Sequence, residues 1–436
     1  MGIYDQAIWN TINGKLFHSS LDFLSNAKSN LIAQHGEIVI LPLSFFYLVY
    51  PNPKILIFLQ VVTVLSSSIP LYLIAKKKLN NKIVSLIIAI VFLLYPPLEW
   101  AILFEFNPIN LVVPSLIWGY FFLINGRKIL FIILLIFALS CKEIVSVSGI
   151  LLGIILCREK TYKKIGLITI VVSLIWLILI IGIIIPSLNN NSVHPLLPYF
   201  SDSNNTTYEG FFENLKTNFI NKIFNKDNFR LIIQLLFPIG FLPLLSPLWL
   251  VPIIPYLSLL LIAIKPEMKL INFHYSSLIT VFLFFSLIES FLLIKKNKKL
   301  SYLVVVIIFI LSILSNYLYS PSPLSRRFEK PPYLSYEKIT KITSVLNKIS
   351  KNKSITITQR LGSHLSQREN VYIFPDNIFS SDYVVLDTIN FPKRPWLIAV
   401  YQEERLGVIK KVNELEKSNN YYKYYKDENL AIFIKK

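Results

Sequence analysis

Cysteine is scarce in this chain of 436 residues, which contains only Cys141 and Cys157. They stand at opposite ends of one apolar segment and would lie roughly 24 Å apart on a helix, too far to form a disulfide. No zinc-type spacing of cysteine and histidine occurs either, so we expect neither a disulfide framework nor a zinc module. The chain opens with Met1-Gly-Ile-Tyr-Asp5 directly in a polar, helix-prone stretch, which predicts no cleavable signal peptide.

Acidic residues are also few, with 25 Asp and Glu against 44 Lys and Arg and a net charge of +19. No basic stripe interleaved with aromatic residues occurs, so we expect no nucleic-acid partner. The composition is instead 54% hydrophobic, and the mean hydropathy is positive. A water-soluble protein cannot bury that much apolar surface, so the composition predicts a multi-pass membrane protein whose first partner is the lipid bilayer.

Apolar runs long enough to cross hydrocarbon as helices recur along the first three quarters of the chain. We predict about ten spans, at 53–75, 83–103, 108–124, 128–140, 144–157, 165–186, 231–246, 247–264, 276–294 and 300–319. Two of them, 128–140 and 144–157, are short, and they suggest a broken pair around Cys141-Lys142-Glu143.

The short loops that connect the predicted spans alternate between the two sides of the membrane, and basic residues are concentrated in the loops of one side. The loops after 75, 124, 157 and 294 hold fourteen Lys and Arg, whereas the opposite short loops hold three, namely Lys142, Lys265 and Lys269. The positive-inside rule therefore places the first set of loops in the cytoplasm. With residue 1 already outside, an earlier helix missing from this chain is expected to have carried it across.

This threading predicts three regions in a multi-pass protein of the cell membrane. Residues 1–52 form an extracytoplasmic first loop with an amphipathic and a re-entrant helix, and 53–320 form a transmembrane helical bundle with an outer loop at 187–229. Residues 321–436 form a small extracytoplasmic α/β domain, with a helix at 336–351, short strands near 354–358, 371–374, 383–386 and 430–434, and a helix near 399–418. The predicted fold class is mainly α.

Several ionisable residues lie at the predicted extracytoplasmic ends of the helices. Charges at that membrane depth are costly unless they are paired or line a wet cavity, so each is a functional candidate. A carboxylate, an amine and an imidazole together could supply a general base, a phosphate-binding cation and a proton carrier. The candidates are Asp5, His35, Glu37, Glu105, Lys142, Glu143, His274 and Tyr275.

Each candidate also has a purely structural interpretation. Asp5 could lie on the polar face of a surface helix, and Lys142 with Glu143 could be an interfacial ion pair that ends a helix. Glu105 could be a solvated loop acid, and His274 an interfacial histidine bonded to a loop carbonyl. His35 and Glu37 form a potential pair of ligands for a divalent metal, but a third ligand is not evident, so the metal stays unknown.

Several stretches that carry these residues resemble the DUF2079 family of prokaryotic membrane proteins, almost from end to end. They are Gly2-Ile-Tyr-Asp-Gln-Ala-Ile-Trp-Asn10, His35 before an apolar run, Tyr95-Pro96, Phe104-Glu-Phe-Asn-Pro108, Cys141-Lys-Glu143, Phe237-Pro-Ile-Gly-Phe-Leu-Pro243, His274-Tyr275-Ser276, His364-Leu-Ser-Gln-Arg368, Val371-Tyr372 and Asp382-Tyr-Val-Val-Leu386. The family pattern usually has Asp-Phe-His-Pro where this chain has Glu105-Phe106-Asn107-Pro108, so a histidine role is not carried over there. The family usually has a preceding transmembrane helix as well.

The family in turn is distantly similar to GT-C glycosyltransferases, which are polytopic enzymes that use polyprenyl-phosphate sugars and a carboxylate in the first outer loop as base. This analogy at the level of the fold implies Asp5 as the base. It implies Lys142, with Arg326 or Arg327, as the group that holds the phosphate of a lipid-linked sugar donor. Glu105 and His35 would orient reactants or bind metal, and the outer domain would help to bind an acceptor of unknown identity.

Two alternatives from other classes stay open. One is a transporter or flippase for a lipid or glycolipid, although the predicted bilayer midplane has almost no ionisable residue that could serve as an ion-coupling site. The other is a non-catalytic membrane scaffold or receptor whose outer domain binds a partner. Alanine at Asp5, Glu105 and Lys142 without any phenotype would favour the scaffold.

Overall fold

The computed structural model describes residues 1–21, 30–189, 194, 197–200, 209, 212, 216, 222–328, 335–388 and 398–436. Most of the predicted outer loop 187–229 lies outside these residues. The chain is mainly helical, with one small sheet, and it divides into two units. The first unit comprises 1–31, 40–55 and 330–436, and the second comprises 32–39 and 56–329. The division into three regions at 52 and 320 stays a prediction.

The helices that the structure describes are α1 (Gly2–Ile12), α2 (Ile40–Val49), α3 (Lys54–Ser66), α4 (Ser68–Leu79), α5 (Lys82–Leu93), α6 (Pro96–Phe104), α7 (Val112–Ile124), α8 (Lys128–Cys141), α9 (Ile144–Cys157), α10 (Lys163–Leu177), α11 (Ile185–Leu188), α12 (Lys226–Leu236), α13 (Ile254–Ile262), α14 (Ser277–Ile294), α15 (Lys298–Tyr319), α16 (Tyr336–Leu346), α17 (Gly362–Leu365) and α18 (Ile398–Glu416). The strands are β1 (Ile355–Ile357), β2 (Val371–Ile373), β3 (Tyr383–Asp387), β4 (Tyr421–Lys426) and β5 (Leu430–Lys435).

The first unit is built on a mixed sheet in the order β2-β1-β3-β5-β4. β1 pairs in parallel with β2 and β3, whereas β5 runs antiparallel to β3 and β4. Alternate side chains of β3 point to opposite faces, so Val385 joins one apolar core and Val384 joins another. Helix α16 covers the first core and α18 covers the second, through Leu346 and Val412 respectively.

Four of the five strands in the sheet lie where the sequence predicts them, whereas β4 was not predicted. Its sequence, Tyr421-Tyr-Lys-Tyr-Tyr-Lys426, lacks the apolar alternation that marks the other strands, because it lies at the edge of the sheet with most side chains exposed. Helix α16 ends at Leu346, a few residues before the predicted end at 351.

The N-terminal residues belong to the same compact unit as this sheet. Leu21 is buried in the same apolar core as the β1 side chains, and Ile3 of α1 packs against that core. The buried Gln6 side chain donates to the carbonyl oxygen of Arg368 at 3.0 Å and accepts from Ser19 Oγ at 2.9 Å. Residues at the two ends of the chain are therefore joined by buried hydrogen bonds as well as by apolar contact.

The prediction of about ten membrane spans is not confirmed at that number. Among the described residues, four helices are long and apolar enough to cross a membrane, namely 54–79, 160–188, 274–294 and 298–319. A fifth is added if α5 and α6, which meet at an angle of 43°, count as one bent span. The other predicted spans correspond to shorter apolar helices, such as Pro108–Ile124, Lys128–Cys141, Ile144–Cys157 and Pro247–Ile262.

Proline and glycine residues explain why two of the predicted spans contain less regular α-helix than expected. The predicted span 231–246 leaves the α-helix at Leu236, and the chain then passes through Gly240 and Phe241, both with positive φ. The next predicted span begins as a 3-10 helix, Pro247–Ile253, with Pro252 inside it. A proline removes a backbone donor and clashes with the preceding turn, so hydropathy alone overestimates the length of regular helix here.

A buried amide network fixes the turn that follows α6 in the second unit. Gln60 of α3 donates to the carbonyl oxygens of Ile102 and Glu105 at 3.0 and 3.1 Å. Its own carbonyl oxygen accepts from Asn107 N and Asn110 Nδ2, each at 2.9 Å. One side chain thus satisfies four polar groups, three of them in buried hydrogen bonds.

We predict that Gln60→Ala lowers the free energy of unfolding by about 3 kcal/mol, because it leaves several buried groups without partners. Thr63→Ala on the same helix is the control, since its hydroxyl bonds only to backbone carbonyls of its own helix. Denaturation of the full-length protein in lipid nanodiscs measures both. Equal midpoints for the two variants would contradict this role of Gln60.

Candidate functional site

The junction between α8 and α9 carries the lysine and glutamate that the sequence singles out. Helix α8 ends at Cys141, Lys142 adopts an extended conformation with φ −168° and ψ 141°, and Glu143 caps α9. Both side chains are almost completely withdrawn from the surface, with Lys142 8% and Glu143 6% exposed. The short helices 128–140 and 144–157 are thus interrupted at the predicted place.

Glu143 binds the segment that contains His35. Its Oε1 lies 2.9 Å from His35 Nδ1, and its Oε2 accepts from the backbone N–H of Gly36 at 3.0 Å. The same segment is held by the bond from Val39 N to the carbonyl oxygen of Ser140, at 3.0 Å. A side chain at position 36 would collide with Ile180, so glycine permits this close approach.

The electrostatic environment keeps Glu143 ionised. Burial by itself raises the pKa of this carboxyl group, but His35 and the neighbouring Lys142 act in the opposite sense. Their combined effect is larger, and the pKa of Glu143 lies well below its usual range. Glu143 is therefore a buried carboxylate in contact with His35.

Lys142 has a different environment, because none of the described residues accepts a hydrogen bond from its ammonium group or forms an ion pair with it within 4.0 Å. Its electrostatic neighbours are Glu143 and His274. The Lys142 side chain is 8% exposed, and its ammonium group carries three donors. Solvent or a bound group can supply the acceptors for these donors.

His274 and Tyr256 lie near the same junction. His274 stacks against Tyr275 with ring centroids 4.4 Å apart, and it interacts electrostatically with Lys142 and His35. Tyr256 of α13 interacts with Glu143 and Tyr275. Helix α13 packs against α9, and Ser148 Oγ of α9 donates to the carbonyl oxygen of Pro252 at 2.7 Å. Neither His274 Nδ1 nor the Tyr256 hydroxyl has a hydrogen-bond partner among the residues described.

Glu37 and Glu105 are the other acidic residues of the second unit that the sequence analysis singled out. Glu37 is fully buried and interacts electrostatically with Cys141 beside Lys142. Glu105 follows α6 in the turn held by Gln60, and its charge acts on Tyr275. Hydrogen bonds therefore place His35 at the α8–α9 junction beside Lys142 and Glu143, whereas Glu37 and His274 interact with the junction electrostatically.

Arg326 and Arg327 lie in the turn after the last helix of the second unit. The guanidinium of Arg327 stands over the Tyr319 ring, 5.4 Å from its centroid, and the N–H of Arg326 donates to the carbonyl oxygen of Tyr317 at 3.0 Å. No contact within the described part of the chain joins either arginine to Lys142. Their predicted role beside Lys142 is therefore not supported by a direct contact.

Asp5 lies in the first unit, completely buried, and three side chains donate to its carboxylate. The Tyr47 hydroxyl donates to Oδ1 at 2.7 Å, Gln367 Nε2 donates to the same oxygen at 3.2 Å, and Ser366 Oγ donates to Oδ2. Burial raises the pKa of Asp5, and these hydrogen bonds offset only part of that rise. Asp5 thus joins α1, α2 and the segment after α17, which are distant in sequence.

Among the residues that the structure describes, no group of three or more His, Cys, Asp or Glu side chains is arranged to hold a metal ion. His35 makes its short contact with Glu143 rather than with Glu37, so the structure pairs the predicted metal ligand with a different carboxylate. The two units each contribute one cluster of predicted residues, around Lys142 and around Asp5.

The family pattern described as "Predicted membrane protein (DUF2079)" matches residues 1–430 of the chain. The chain belongs to this family. The resemblance seen in the sequence is thereby confirmed, and with it the membrane character that the composition predicts. The comparison with curated proteins finds no match. DUF2079 membership identifies no reaction, so the chemistry has to be argued from the residues.

Several residues of the two clusters were missed in the sequence. Ser366 and Gln367 fall within the stretch His364 to Arg368 that carries the resemblance to DUF2079, so a signal for them was present without a physical reason attached. Tyr47 and Tyr256 lie in apolar runs, where a tyrosine is indistinguishable from an interfacial or core aromatic residue. Only the fold shows that the Tyr47 hydroxyl donates to Asp5 and that the Tyr256 hydroxyl is buried without a partner among the described residues.

The raised pKa of Asp5 predicts a specific pH dependence of stability. The folded chain binds the Asp5 proton more tightly than the unfolded chain, so the free energy of unfolding should fall as pH rises from about 3.8 through the raised pKa. Asp5→Asn should remove that slope and retain the fold, because the hydroxyls of Tyr47 and Ser366 can rotate to accept. Denaturation of the full-length protein at a series of pH values measures the slope.

Asp382 is the matched control, because hydrogen bonds from Ser354 hold its pKa below the ordinary value. Its contribution to stability is present above that ordinary value and is lost as pH falls through the lowered pKa, so Asp382→Asn should change the profile with the opposite sign. An unchanged slope in Asp5→Asn would show that Asp5 is not the group that titrates.

Proposed function

We propose that this protein is a membrane glycosyltransferase of GT-C type, which transfers a sugar from a polyprenyl-phosphate donor to an acceptor on the outer face of the cell membrane. The observation that supports the proposal is Lys142, a residue only 8% exposed at a junction of two apolar helices, whose ammonium group has no acceptor among the described residues. An anion with several oxygen acceptors is the chemical complement of such a group.

The position of Lys142 between apolar helices favours an anion that belongs to a lipid. A free, strongly hydrated anion gains little from an environment of apolar helices, whereas a lipid phosphate arrives with its chain already in hydrocarbon. The chain could enter laterally between α8 and its neighbours while the phosphate reaches Lys142. In this proposal, Arg326 and Arg327 also donate hydrogen bonds to that phosphate.

In the proposed reaction, Asp5 removes the proton of an acceptor hydroxyl. The acceptor oxygen attacks the anomeric carbon of the donor sugar as the bond from that carbon to the phosphate oxygen breaks, and polyprenyl phosphate leaves with the bonding electrons. The rise in the pKa of Asp5 caused by burial brings this carboxylate closer to the range of an effective general base. Lys142 offsets the charge that develops on the phosphate.

The other candidates receive supporting roles in this proposal. Glu105 and His35 orient the reactants, and Glu143, which holds His35 and the Gly36 backbone, fixes the position of His35. Glu37, His274 and Tyr275 complete the polar surroundings of Lys142. The α/β region of the tail, which contains the five-stranded sheet, binds the acceptor.

The orientation belongs to the proposal as well. With the lysine-rich loops in the cytoplasm, the α8–α9 junction, segment 1–52 and region 321–436 face outward. The shorter apolar helices then complete the bundle as tilted or broken spans, which the ten-span threading requires.

A transfer assay with a radiolabelled polyprenyl-phosphate sugar and membranes of the host tests the chemistry. Lys142→Met should reduce transfer about a hundredfold or more, because charge developing on the leaving phosphate loses its counter-charge. Lys142→Arg should retain part of the activity, and Asp5→Asn should abolish transfer without unfolding the chain. The control is Lys265→Met, which removes an exposed lysine of a predicted outer loop.

Full transfer by Lys142→Met and Asp5→Asn would remove both residues from the mechanism. Movement of unmodified lipid across proteoliposomes, in the absence of any transfer, would instead favour the flippase. Mass spectrometry of lipid-linked sugars and surface glycans in a deletion strain then identifies the donor and the acceptor.

A topology experiment tests the orientation independently of the chemistry. An alkaline phosphatase reporter fused after Tyr319 should be active, because the tail is expected outside, and one fused after Lys296 should be inactive. A green fluorescent reporter at the same two sites should show the reverse pattern. Fluorescence from the Tyr319 fusion would place the tail in the cytoplasm and exclude an outward-facing active site.

A further inference from the structure

Helix α12 presents two different faces, and its charged residues all lie in its first half. Asn228 and Leu231 are buried, whereas Lys226, Phe229 and Arg230, which are three and four residues apart, are exposed together on one face. A helix with one buried face and one face of basic and aromatic residues is typical of the boundary between hydrocarbon and water.

Hydrogen bonds at the start of α12 fix its rotation, so the exposed face is a defined surface. Asn225 Oδ1 accepts from the backbone N–H groups of Asp227 and Asn228 at 3.1 and 2.9 Å, which caps the helix. Asn228 Nδ2 donates to the carbonyl oxygen of Leu261 at 2.9 Å. This last bond joins α12 to the end of α13.

The charged first turn of α12 lies within reach of the lipid headgroups. Four residues after α12, Gly240 packs against Ile308, midway along α15, and α15 is long and apolar enough to cross a membrane. At 1.5 Å per residue α12 is roughly 16 Å long, about half the thickness of the hydrocarbon core. A helix of this length that ends near the membrane midplane can extend to the interface.

Two phenylalanine side chains belong to this surface and are largely exposed. Phe224, just before α12, is 82% exposed, and Phe229 is 69% exposed. Contact of so much aromatic surface with water is unfavourable. At a membrane interface the same rings can insert among the acyl chains of the lipids.

Cations outnumber acids on the same surface. The 3-10 helix Pro266–Lys269 packs beside α12 and adds a lysine on the predicted outer side, where the positive-inside rule calls for none. Asp227 lies 3.6 Å from Arg230, but both side chains are about half exposed, so the pair is weak and leaves Arg230 able to bind another anion. The cations are Lys222, Lys226, Arg230 and Lys269, and the acids are Asp227 and Glu267.

We propose that this α12 surface, formed by Lys222, Phe224, Lys226, Phe229, Arg230 and Lys269, binds the headgroups of anionic phospholipids. The cations donate to the headgroup phosphates while the two rings lie among the acyl chains. A phospholipid layer offers an anionic and an apolar partner side by side, which matches both the charge and the exposed phenylalanines. The inference goes beyond the proposed reaction and does not depend on it.

A photo-crosslinking residue at position 229 tests which molecule covers this surface. The full-length protein with Phe229→p-benzoylphenylalanine is placed in nanodiscs of equal parts phosphatidylglycerol and phosphatidylcholine, and mass spectrometry identifies the adducts. Adducts with phosphatidylglycerol should exceed those with phosphatidylcholine on the order of fivefold. Ile310→p-benzoylphenylalanine is the matched control, because Ile310 is 57% exposed on the apolar span α15, and its two adducts should be equally abundant.

Neutralising two cations separates headgroup recognition from simple contact with lipid. Lys226→Gln combined with Arg230→Gln should make the two adducts at position 229 equally abundant. Lys351→Gln, which removes an exposed lysine of the first unit, should leave the preference unchanged. These side chains are exposed, so the variants should keep the thermal stability of the parent. If the variant at position 229 does not fold, Phe224→p-benzoylphenylalanine provides the same measurement.

Three results would overturn the inference. The first is equal abundance of the two lipid adducts at position 229, or a preference that survives the loss of both cations. The second is an adduct with a protein chain in place of lipid, which would assign the surface to a protein partner. The third, with polyprenyl phosphate added to the nanodiscs, is enrichment of that lipid alone, which would assign the surface to donor binding. None of these measurements involves sugar transfer, so their failure and the failure of the glycosyltransferase proposal are distinguishable.

Discussion

The architecture of the second unit depends on keeping one carboxylate charged inside an apolar bundle. Glu143 can be buried there only because His35, the Gly36 N–H and the adjacent Lys142 together offset the loss of hydration. The same contacts hold segment 32–39 against the junction of α8 and α9. Removing either partner would leave an uncompensated charge, so the position of His35 and the conformation of the junction are determined together.

The first unit also contains a buried carboxylate, that of Asp5, which is stabilised by a different set of donors. Asp5 accepts from Tyr47, Ser366 and Gln367, which come from parts of the chain that are far apart in sequence. All three donors are neutral, whereas the neighbours of Glu143 are Lys142 and His35. The consequence is opposite: the pKa of Asp5 is raised and that of Glu143 is lowered. Two buried acids of one chain are therefore suited to different tasks, one to exchanging a proton and one to holding a charge.

Sequence patterns predicted the secondary structure well where a single periodicity dominates. The strands at 354–358, 371–374, 383–386 and 430–434 were recognised because their apolar residues face buried cores, as Ile357 and Val385 do. The edge strand β4 was missed because its exposed tyrosines and lysines do not alternate in polarity. The number of about ten membrane spans is not confirmed, because hydropathy does not register how Pro238, Gly240 and Pro252 interrupt regular helix.

The amino-acid sequence by itself determined that the chain is a multi-pass membrane protein with a small sheet in its tail, because hydropathy, loop charge and apolar alternation are local properties. It also selected Lys142, Glu143, His35 and His274, because ionisable residues stand out against apolar runs. Only the tertiary structure decided that Glu143 binds His35 and that Asp5 accepts hydrogen bonds from Tyr47 and Ser366. Hydrogen-bond partners depend on where distant segments meet, and no local pattern records that distance.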